Sequence, residues 1–307
     1  MESIEIKPEK KKQLHINKPK WLKTNIPTGS TYFNIKKDLR KKNLYTVCEE
    51  AKCPNIGECW SGNTATFMIL GDTCTRACRF CNVKTGNPNG WLDNSEPAKT
   101  AESVKIMKLK YAVLTMVDRD DLDDGGAAHV AKVFEAIREA SPTTKLEFLG
   151  GDFNEKESSI KTILEGAHPE VFAHNLETVK RLTPRVRDAR ASYDKTLRVL
   201  KMAKELSEYN LLTKSAIMLG LGETKEEVIE TLKDLREHDV DIVTIGQYMR
   251  PSKRHLAIKD FVEPAVFEEL KQTAYDLGFL AVASSPLVRS SYKADFFYNE
   301  AMNKLNS

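Results

Sequence analysis

The sequence has no cysteine after Cys81, and its six cysteines all lie between Cys48 and that residue. Cysteines that filled a core would be spread along the 307 residues, so the clustering favours a role as ligands. No apolar run approaches the ~20 residues needed to cross a bilayer. The first 20 residues lack arginine, an apolar core and a cleavage site, which predicts neither a secretory signal nor a mitochondrial presequence. We therefore expect a soluble, cytoplasmic protein with reduced thiols.

An excess of one charge is also missing. The 47 basic and 44 acidic side chains leave a net charge of +3, which is too small to indicate nucleic-acid binding by overall electrostatics. Residues 1–20 are rich in lysine and poor in apolar side chains, which predicts a disordered basic arm. Docking of an acidic protein partner is the alternative role for this arm.

From Thr64 onward, short β-branched or apolar runs alternate with amphipathic helical stretches. This alternation predicts the α/β class, with parallel strands and right-handed crossovers wound as a partial (β/α)6 TIM-type barrel or as an open sheet. The predicted strands are Thr64–Leu70, Tyr111–Val117, Lys145–Leu149, Val171–His174, Thr213–Leu219 and Ile242–Tyr248. We divide the chain into the arm at 1–20, an N-terminal extension carrying cysteines at 21–60, the barrel at 61–280 and a C-terminal segment at 281–307.

Cys74, Cys78 and Cys81 follow the first predicted strand with gaps of three and two residues. Three thiolates in one loop can hold three corners of a cubane iron–sulfur cluster and leave one iron open. An open iron can chelate S-adenosylmethionine, so that an electron from the cluster breaks the sulfonium bond. A structural zinc site is the alternative, but it requires four ligands. In a barrel of this kind, the carboxyl ends of the strands carry the reactive groups, which is where this loop falls.

Cys48, Cys53 and Cys59 form a second triplet with wider spacing, and they again offer three thiolates without an obvious fourth ligand. They predict a second cluster. A disulfide would require an oxidising compartment that nothing here indicates, and one zinc site shared between the triplets would leave thiols over.

The order of the two triplets resembles the lipoyl synthase family of radical S-adenosylmethionine enzymes. The resemblance covers roughly residues 18 to 294 and rests on further motifs, namely the runs 62–72, 117–122, 174–179, 184–187, 218–223, 244–248 and 286–292. The paired triplets together with Arg289-Ser-Ser-Tyr292 are specific to that family.

The resemblance implies two 4Fe-4S clusters. One is a radical-generating cluster on Cys74, Cys78 and Cys81, and the other is an auxiliary cluster on Cys48, Cys53, Cys59 and a serine of the terminal motif. We assign this serine to Ser291, with Ser290 as the adjacent alternative. An oxygen ligand is a weaker partner for iron than a thiolate, which suits a cluster that opens to give up sulfur. For S-adenosylmethionine, the candidate contacts are Phe80, Asn175, Glu177, Arg187 and Lys214.

The implied reaction inserts two sulfur atoms, drawn from the auxiliary cluster, at carbons 6 and 8 of an octanoyl group on a lysine of a lipoyl-carrier domain. The implied carriers are the E2 subunit of 2-oxoacid dehydrogenases and the glycine cleavage H protein. A ferredoxin or flavodoxin donor and an iron–sulfur carrier protein are further implied partners, with no nucleic acid and no membrane. A biotin-synthase-like or methylthio-transferring radical enzyme remains an alternative, as does a zinc scaffold.

Three positions depart from the family pattern. Met116 stands where serine is usual, Gly150-Gly151 where an apolar–proline pair is commoner, and Ser285 where glycine is usual. None of them removes a predicted cluster ligand, so they bear on substrate positioning and packing. The run from Asp118 to Gly126 looks like a calcium-binding loop at first. With Gly125 at the sixth position, however, the third and twelfth positions would be Leu122 and Ala131, which cannot bind calcium through a carboxylate, so a calcium site is excluded.

Overall fold

The computed structural model describes residues 18–22, 33, 36–37, 46 and 55–307. Cys48, Cys53 and most of the predicted basic arm lie outside the described residues. Within the described part, the strands are β1 (Thr64–Ile69), β2 (Thr73–Cys74), β3 (Lys84–Thr85), β4 (Tyr111–Met116), β5 (Lys145–Leu149), β6 (Val171–Ala173), β7 (Leu212–Leu219), β8 (Ile242–Gln247) and β9 (Ala281–Ser284). The helices are α1 (Ile56–Ser61), α2 (Glu96–Met107), α3 (Ala127–Ala140), α4 (Glu157–Ala167), α5 (Thr183–Val186), α6 (Tyr193–Leu206), α7 (Lys225–Glu237), α8 (Pro264–Asp276) and α9 (Ala294–Leu305). None of the described helices is long and apolar enough to cross a membrane.

One parallel sheet of seven strands forms the centre of the fold, in the order β1-β4-β5-β6-β7-β8-β9. The order follows the chain without reversal, so right-handed crossovers place the connecting helices on one face of the sheet. This arrangement is the wall of a partial barrel, which confirms the predicted class.

The six predicted strands are present, with ends that differ by at most one residue. A seventh strand, β9, was not predicted, because its four residues Ala281-Val-Ala-Ser284 are too short and too small to stand out by pattern. It pairs with β8 through Ile242 and Ala281. The sheet therefore has one more strand than the sequence pattern indicated.

The helix ends agree with local sequence chemistry. Thr224 caps α7 in a reciprocal capping box with Glu227, and Pro264 is the first residue of α8. The faces of α3, α6 and α7 that carry the apolar period are buried against the sheet. Most of the core lies between the helices and the convex face of the sheet.

The concave face of the sheet is covered by the C-terminal helix α9. Ala301 of α9 packs with Val171, Leu212 and Ile242, while the Tyr298 ring lies tilted against the Tyr111 ring, with their centroids 5.7 Å apart. The barrel interior is therefore a packed layer at this level rather than a channel.

The chain between β9 and α9 links the two edges of the sheet. Gln247 of β8 donates its backbone N–H to Pro286 O, and the Thr66 hydroxyl of β1 donates to Ser291 Oγ at 2.9 Å. Gly246 is required beneath this segment, since a Cβ there would lie 2.2 Å from Val288 O. The segment thus spans the open side of the partial barrel.

Candidate active site

The cysteine loop from Cys74 to Cys81 begins at the carboxyl end of the first strand and is held by neighbouring loops. Thr75 donates its backbone N–H to Asp118 O at 2.9 Å, and Arg79 donates to Val186 O at 2.9 Å. The β2–β3 pair ties Cys74 to Thr85. These contacts place the loop over the carboxyl ends of the strands, as predicted for a reactive site.

Each of the three thiols in this loop accepts a backbone N–H. Arg76 N lies 3.4 Å from Cys74 Sγ, Asp188 N lies 3.3 Å from Cys78 Sγ, and Val83 N lies 3.4 Å from Cys81 Sγ. Burial raises the pKa of Cys74 to about 11 and that of Cys78 to about 12, and it also raises the pKa of Cys81. Thiolates at these positions therefore need positive charge beside them, as iron supplies, and amide donors to sulfur suit a cluster.

The described residues contain no three His, Cys, Asp or Glu side chains close enough together for one metal ion. A cubane presents a different iron to each cysteine, so its thiolates lie further apart than the ligands of a single zinc. Three thiols in one loop are therefore a donor set that fits a cluster with three protein ligands.

The cysteine loop is anchored from within by Arg76, whose side chain is 2% exposed. Its guanidinium forms two hydrogen bonds of 2.7 Å with the Asp152 carboxylate and bonds of 2.8 and 3.0 Å with Asp120. Arg76 holds the pKa of Asp152 at about 2, against the effect of burial. A bidentate, buried pair of this kind fixes the position of the loop between two of its cysteines. Sequence reasoning missed this anchor, although Asp120 lies in the acidic run that was rejected as a calcium loop.

Asn175 and Glu177 lie just after β6, on the side of the sheet that faces the cysteine loop. Asn175 Nδ2 donates to Glu177 Oε1 at 3.0 Å, while the buried Asn175 Oδ1 has no partner among the described residues. Burial raises the pKa of Glu177, and its charge also raises the pKa values of Cys78 and Cys81, which shows that it lies near both thiols. An orphaned acceptor beside a carboxylate fits a ligand that carries amino and hydroxyl donors.

Arg187 is buried near Cys78. Its guanidinium donates to Thr196 Oγ1 at 2.8 Å, and its charge lowers the pKa of Cys78, against the larger effect of burial. Phe80 is half-buried against the main core within the cysteine loop. The structure therefore brings Phe80, Arg187 and the Asn175–Glu177 pair to the region around the cysteines.

Lys214 is placed in the barrel interior and is engaged elsewhere. Its Nζ lies 2.8 Å from Glu147 Oε1, and both side chains are at most 3% exposed. The second carboxylate oxygen of Glu147 accepts the Tyr111 hydroxyl at 3.0 Å. The ammonium group is thus held within a buried polar network on the concave face of the sheet.

Cys59 and Ser291 line one cavity of about 290 Å³, which includes its open mouth. Cys59 comes from α1, and Ser291 comes from the segment between β9 and α9. The two are held together because the Asn55 side chain donates to Leu287 O at 2.8 Å, while Glu58 accepts from Tyr292 and pairs with Lys293 at 2.6 Å. Ser290 does not line the cavity. A thiol and a hydroxyl that share a cavity fit two ligands of one cluster, with the partner cysteines Cys48 and Cys53 outside the described residues.

Thr66 also lines this cavity, and its hydroxyl donates the hydrogen bond that orients Ser291. Sequence reasoning missed it, since threonine is common in strands and carries no motif. His255 was missed for a similar reason: its Nε2 lies 3.0 Å from Cys81 O, although it is distant in the chain.

Two models of known protein families match the chain. Residues 68–235 match the model of the radical SAM superfamily, and residues 2–53 match the model of the N-terminal domain of lipoyl synthase of the radical SAM family.

Similar proteins include a lipoyl synthase of Legionella pneumophila (strain Paris), which is 56% identical over 91% of this chain and 84% of its own. A lipoyl synthase of Halalkalibacterium halodurans is 54% identical over 95% of both chains. A mitochondrial lipoyl synthase of Schizosaccharomyces pombe is 54% identical over 96% of this chain and 80% of its own.

Solved structures share the fold at lower identity. Methylornithine synthase superposes with a TM-score of 0.56 at 15% identity, over 80% of this chain and 77% of its own. The FeFe-hydrogenase maturase HydG from Carboxydothermus hydrogenoformans superposes with a TM-score of 0.52 at 12% identity, over 89% of this chain and 70% of its own.

Proposed function

Because the chain belongs to the lipoyl synthase family of radical S-adenosylmethionine enzymes, we propose that it converts a protein-bound octanoyl group to a lipoyl group. Two sulfur atoms are inserted at carbons 6 and 8, and the auxiliary cluster is their source. The observation that carries this proposal is an identity of 54–56% with lipoyl synthases over more than nine-tenths of the chain. The cofactors are two 4Fe-4S clusters and S-adenosylmethionine.

Cys74, Cys78 and Cys81 would hold the radical-generating cluster. The support is that all three thiols share one loop, that each faces a backbone N–H, and that Arg76 anchors the loop from inside. When bound, the cluster and S-adenosylmethionine supply the one-electron chemistry needed to break unactivated carbon–hydrogen bonds. The loop itself would fix the three thiolates in place and leave the fourth iron of the cluster open toward the barrel.

Cys48, Cys53, Cys59 and Ser291 would hold the auxiliary cluster. The support from the described residues is the cavity that Cys59 shares with Ser291 and not with Ser290. Thr66 directs its hydroxyl proton to Ser291 Oγ, which leaves the serine oxygen oriented on the cavity side of β1. A serine hydroxyl is a far weaker acid than a thiol and a harder donor, so a bound serine oxygen would be reprotonated and released more readily than the three thiolates.

Asn175 and Glu177 would bind the amino and hydroxyl donors of S-adenosylmethionine, Arg187 its carboxylate, and Phe80 its adenine. The free acceptor of Asn175 and the raised pKa of Glu177 are the support for the first two. Lys214 remains a predicted contact for the carboxylate, although its ion pair with Glu147 would have to open for it to act.

The carrier of the octanoyl group would be the E2 subunit of a 2-oxoacid dehydrogenase or the glycine cleavage H protein. A ferredoxin or flavodoxin would supply electrons, and an iron–sulfur carrier protein would rebuild the auxiliary cluster. A cytoplasmic location stays a prediction, since some relatives are named mitochondrial.

The test is iron and sulfide content together with product formation on anaerobically reconstituted protein. We expect about eight irons per chain, falling to about four when Cys74, Cys78 and Cys81 are replaced by alanine. With dithionite, S-adenosylmethionine and an octanoyl-lysyl peptide, the parent should give the dithiolated peptide by mass spectrometry, and the variant should not. Stoichiometric zinc without visible absorbance would refute the proposal.

A further inference from the structure

A group of cations, exposed except for the half-buried Arg250, surrounds the outer side of the cysteine loop. We call it the basic rim and define it as Arg79, Arg185, Arg250, Lys253 and Arg254. Arg79 lies within the loop itself, Arg185 in α5, and the other three in the stretch that follows β8. From Tyr248 to Lys259 this stretch contains no acidic residue.

The rim is held against the cysteine loop by specific contacts. Arg79 Nη1 lies 3.4 Å from Arg185 O, and Leu256 N donates to Arg79 O at 3.2 Å. The Arg250 guanidinium donates to two carbonyls of its own loop, those of Lys253 and His255. The rim is therefore one continuous surface built from three segments.

The rim gathers several cations without a carboxylate partner around one loop, whereas many other exposed cations of the described part are paired. Arg181 pairs with Glu227, Arg198 with Glu155, and Arg190 with Asp188 at 2.9 Å. Among the described residues, no rim side chain lies within ion-pair distance of an acid. Although the net charge of the chain is only +3, the rim therefore holds several positive charges that no nearby carboxylate neutralises.

The rim also has a direct connection to the cysteine loop. His255, which follows Arg254, lies with its Nε2 3.0 Å from Cys81 O, and Ser252 holds the opposite ring nitrogen at 2.9 Å. None of the residues that line the Cys59–Ser291 cavity belongs to the rim. A protein bound at the rim would therefore lie against the radical-cluster loop without using the walls of that cavity.

We propose that the basic rim is the docking surface for an acidic one-electron donor protein that reduces the cluster of the cysteine loop. This inference rests on the proposed function. Unpaired surface charge raises the association rate of an oppositely charged partner.

The donor fits this surface better than the octanoyl carrier does. Electron transfer slows steeply with distance, so a donor must approach the cysteine loop itself, and Arg79 lies between two of the predicted ligands. A carrier presents its octanoyl group on a long lysyl arm, which reaches the reaction site from further away.

The experiment compares two triple variants of the reconstituted holoenzyme. The test variant is R185E/K253E/R254E, whose side chains make no hydrogen bond with another described residue. The control variant is K105E/K132E/K233E, which makes the same change in net charge on the exposed faces of α2, α3 and α7, at lysines without an ion-pair partner among the described residues. R185K/K253R/R254K is the charge-conserving comparison.

Each variant is assayed for product in three ways. The first uses dithionite with an octanoyl-lysyl peptide, the second uses a reduced acidic flavodoxin with the same peptide, and the third uses dithionite with an intact octanoylated carrier domain. We expect the test variant to lose roughly tenfold or more in the flavodoxin assay alone at low ionic strength. The control and charge-conserving variants should keep the parental rate, and added salt should narrow the difference.

Three results would overturn the inference. Equal flavodoxin rates for the test and control variants would place the donor elsewhere. A loss confined to the intact carrier domain would assign the rim to the carrier. A loss in all assays with lower iron content would make the rim a support of the cysteine loop. If the parent itself gives no product with dithionite and peptide, the proposed function fails instead.

Discussion

Replacement of Lys214 by methionine should strongly destabilise the fold. The Lys214 ammonium and the Glu147 carboxylate are 2.8 Å apart and almost fully buried, which corresponds to a gross attraction of about 6 kcal/mol at an effective dielectric constant of 20. K214M would leave the carboxylate buried and uncompensated, at an expected cost of ~3–5 kcal/mol. The double variant K214M/E147Q should recover most of that loss, because a neutral amide needs no counter-charge and its oxygen still accepts the Tyr111 hydroxyl.

The assay is urea unfolding of the cluster-free protein, followed by far-UV circular dichroism, with differences taken from the midpoints at a common slope. S-adenosylmethionine cleavage by the reconstituted variants is measured in parallel. If stability and cleavage both return in the double variant, Lys214 is a structural residue. If stability returns but cleavage does not, its predicted contact with the cofactor is supported. A cost below about 1 kcal/mol for K214M, or no recovery on adding E147Q, would refute the reasoning about the buried pair.

Other predictions follow from the remaining parts of the site. S291A should lower product formation by roughly tenfold or more and reduce auxiliary iron, whereas S290A should keep both; the reverse pattern would exchange the ligand assignment. R76M should cost ~3–5 kcal/mol and release the radical cluster, since it leaves buried acids unpaired; unchanged iron content would contradict this. Burial lowers the pKa of His174 to about 4 from 6.5, so the native state keeps this ring neutral while the unfolded chain binds a proton below pH 6.5. Unfolding free energy should therefore fall by up to ~3 kcal/mol as pH drops from 6.5 to 4, and H174N should flatten that slope in urea titrations at several pH values.

Local pattern predicted much of the fold. The strands carry β-branched and apolar runs, and the capping box at Thr224 and the proline at the start of α8 mark helix ends by chemistry that acts within four residues. The strand β9 escaped prediction because its small residues owe their conformation to pairing with β8. The order of the strands in the sheet could not be predicted either, because an open sheet and a partial barrel both show the same alternation of strands and helices in the sequence.

The sequence by itself determined the cysteine loop, because three thiols at fixed short spacing can meet one cluster whatever surrounds them. Through family resemblance, it also indicated that the terminal motif belongs with the triplet of Cys48, Cys53 and Cys59. Only the tertiary structure shows that Ser291, and not Ser290, lines the cavity that contains Cys59, since the two serines differ in position and not in chemistry. The same holds for Arg76 with Asp152 and for the basic rim. These contacts join residues that are far apart in the chain. The positions of the strand ends decide which residues meet, and a buried charged side chain such as Arg76 requires an oppositely charged partner.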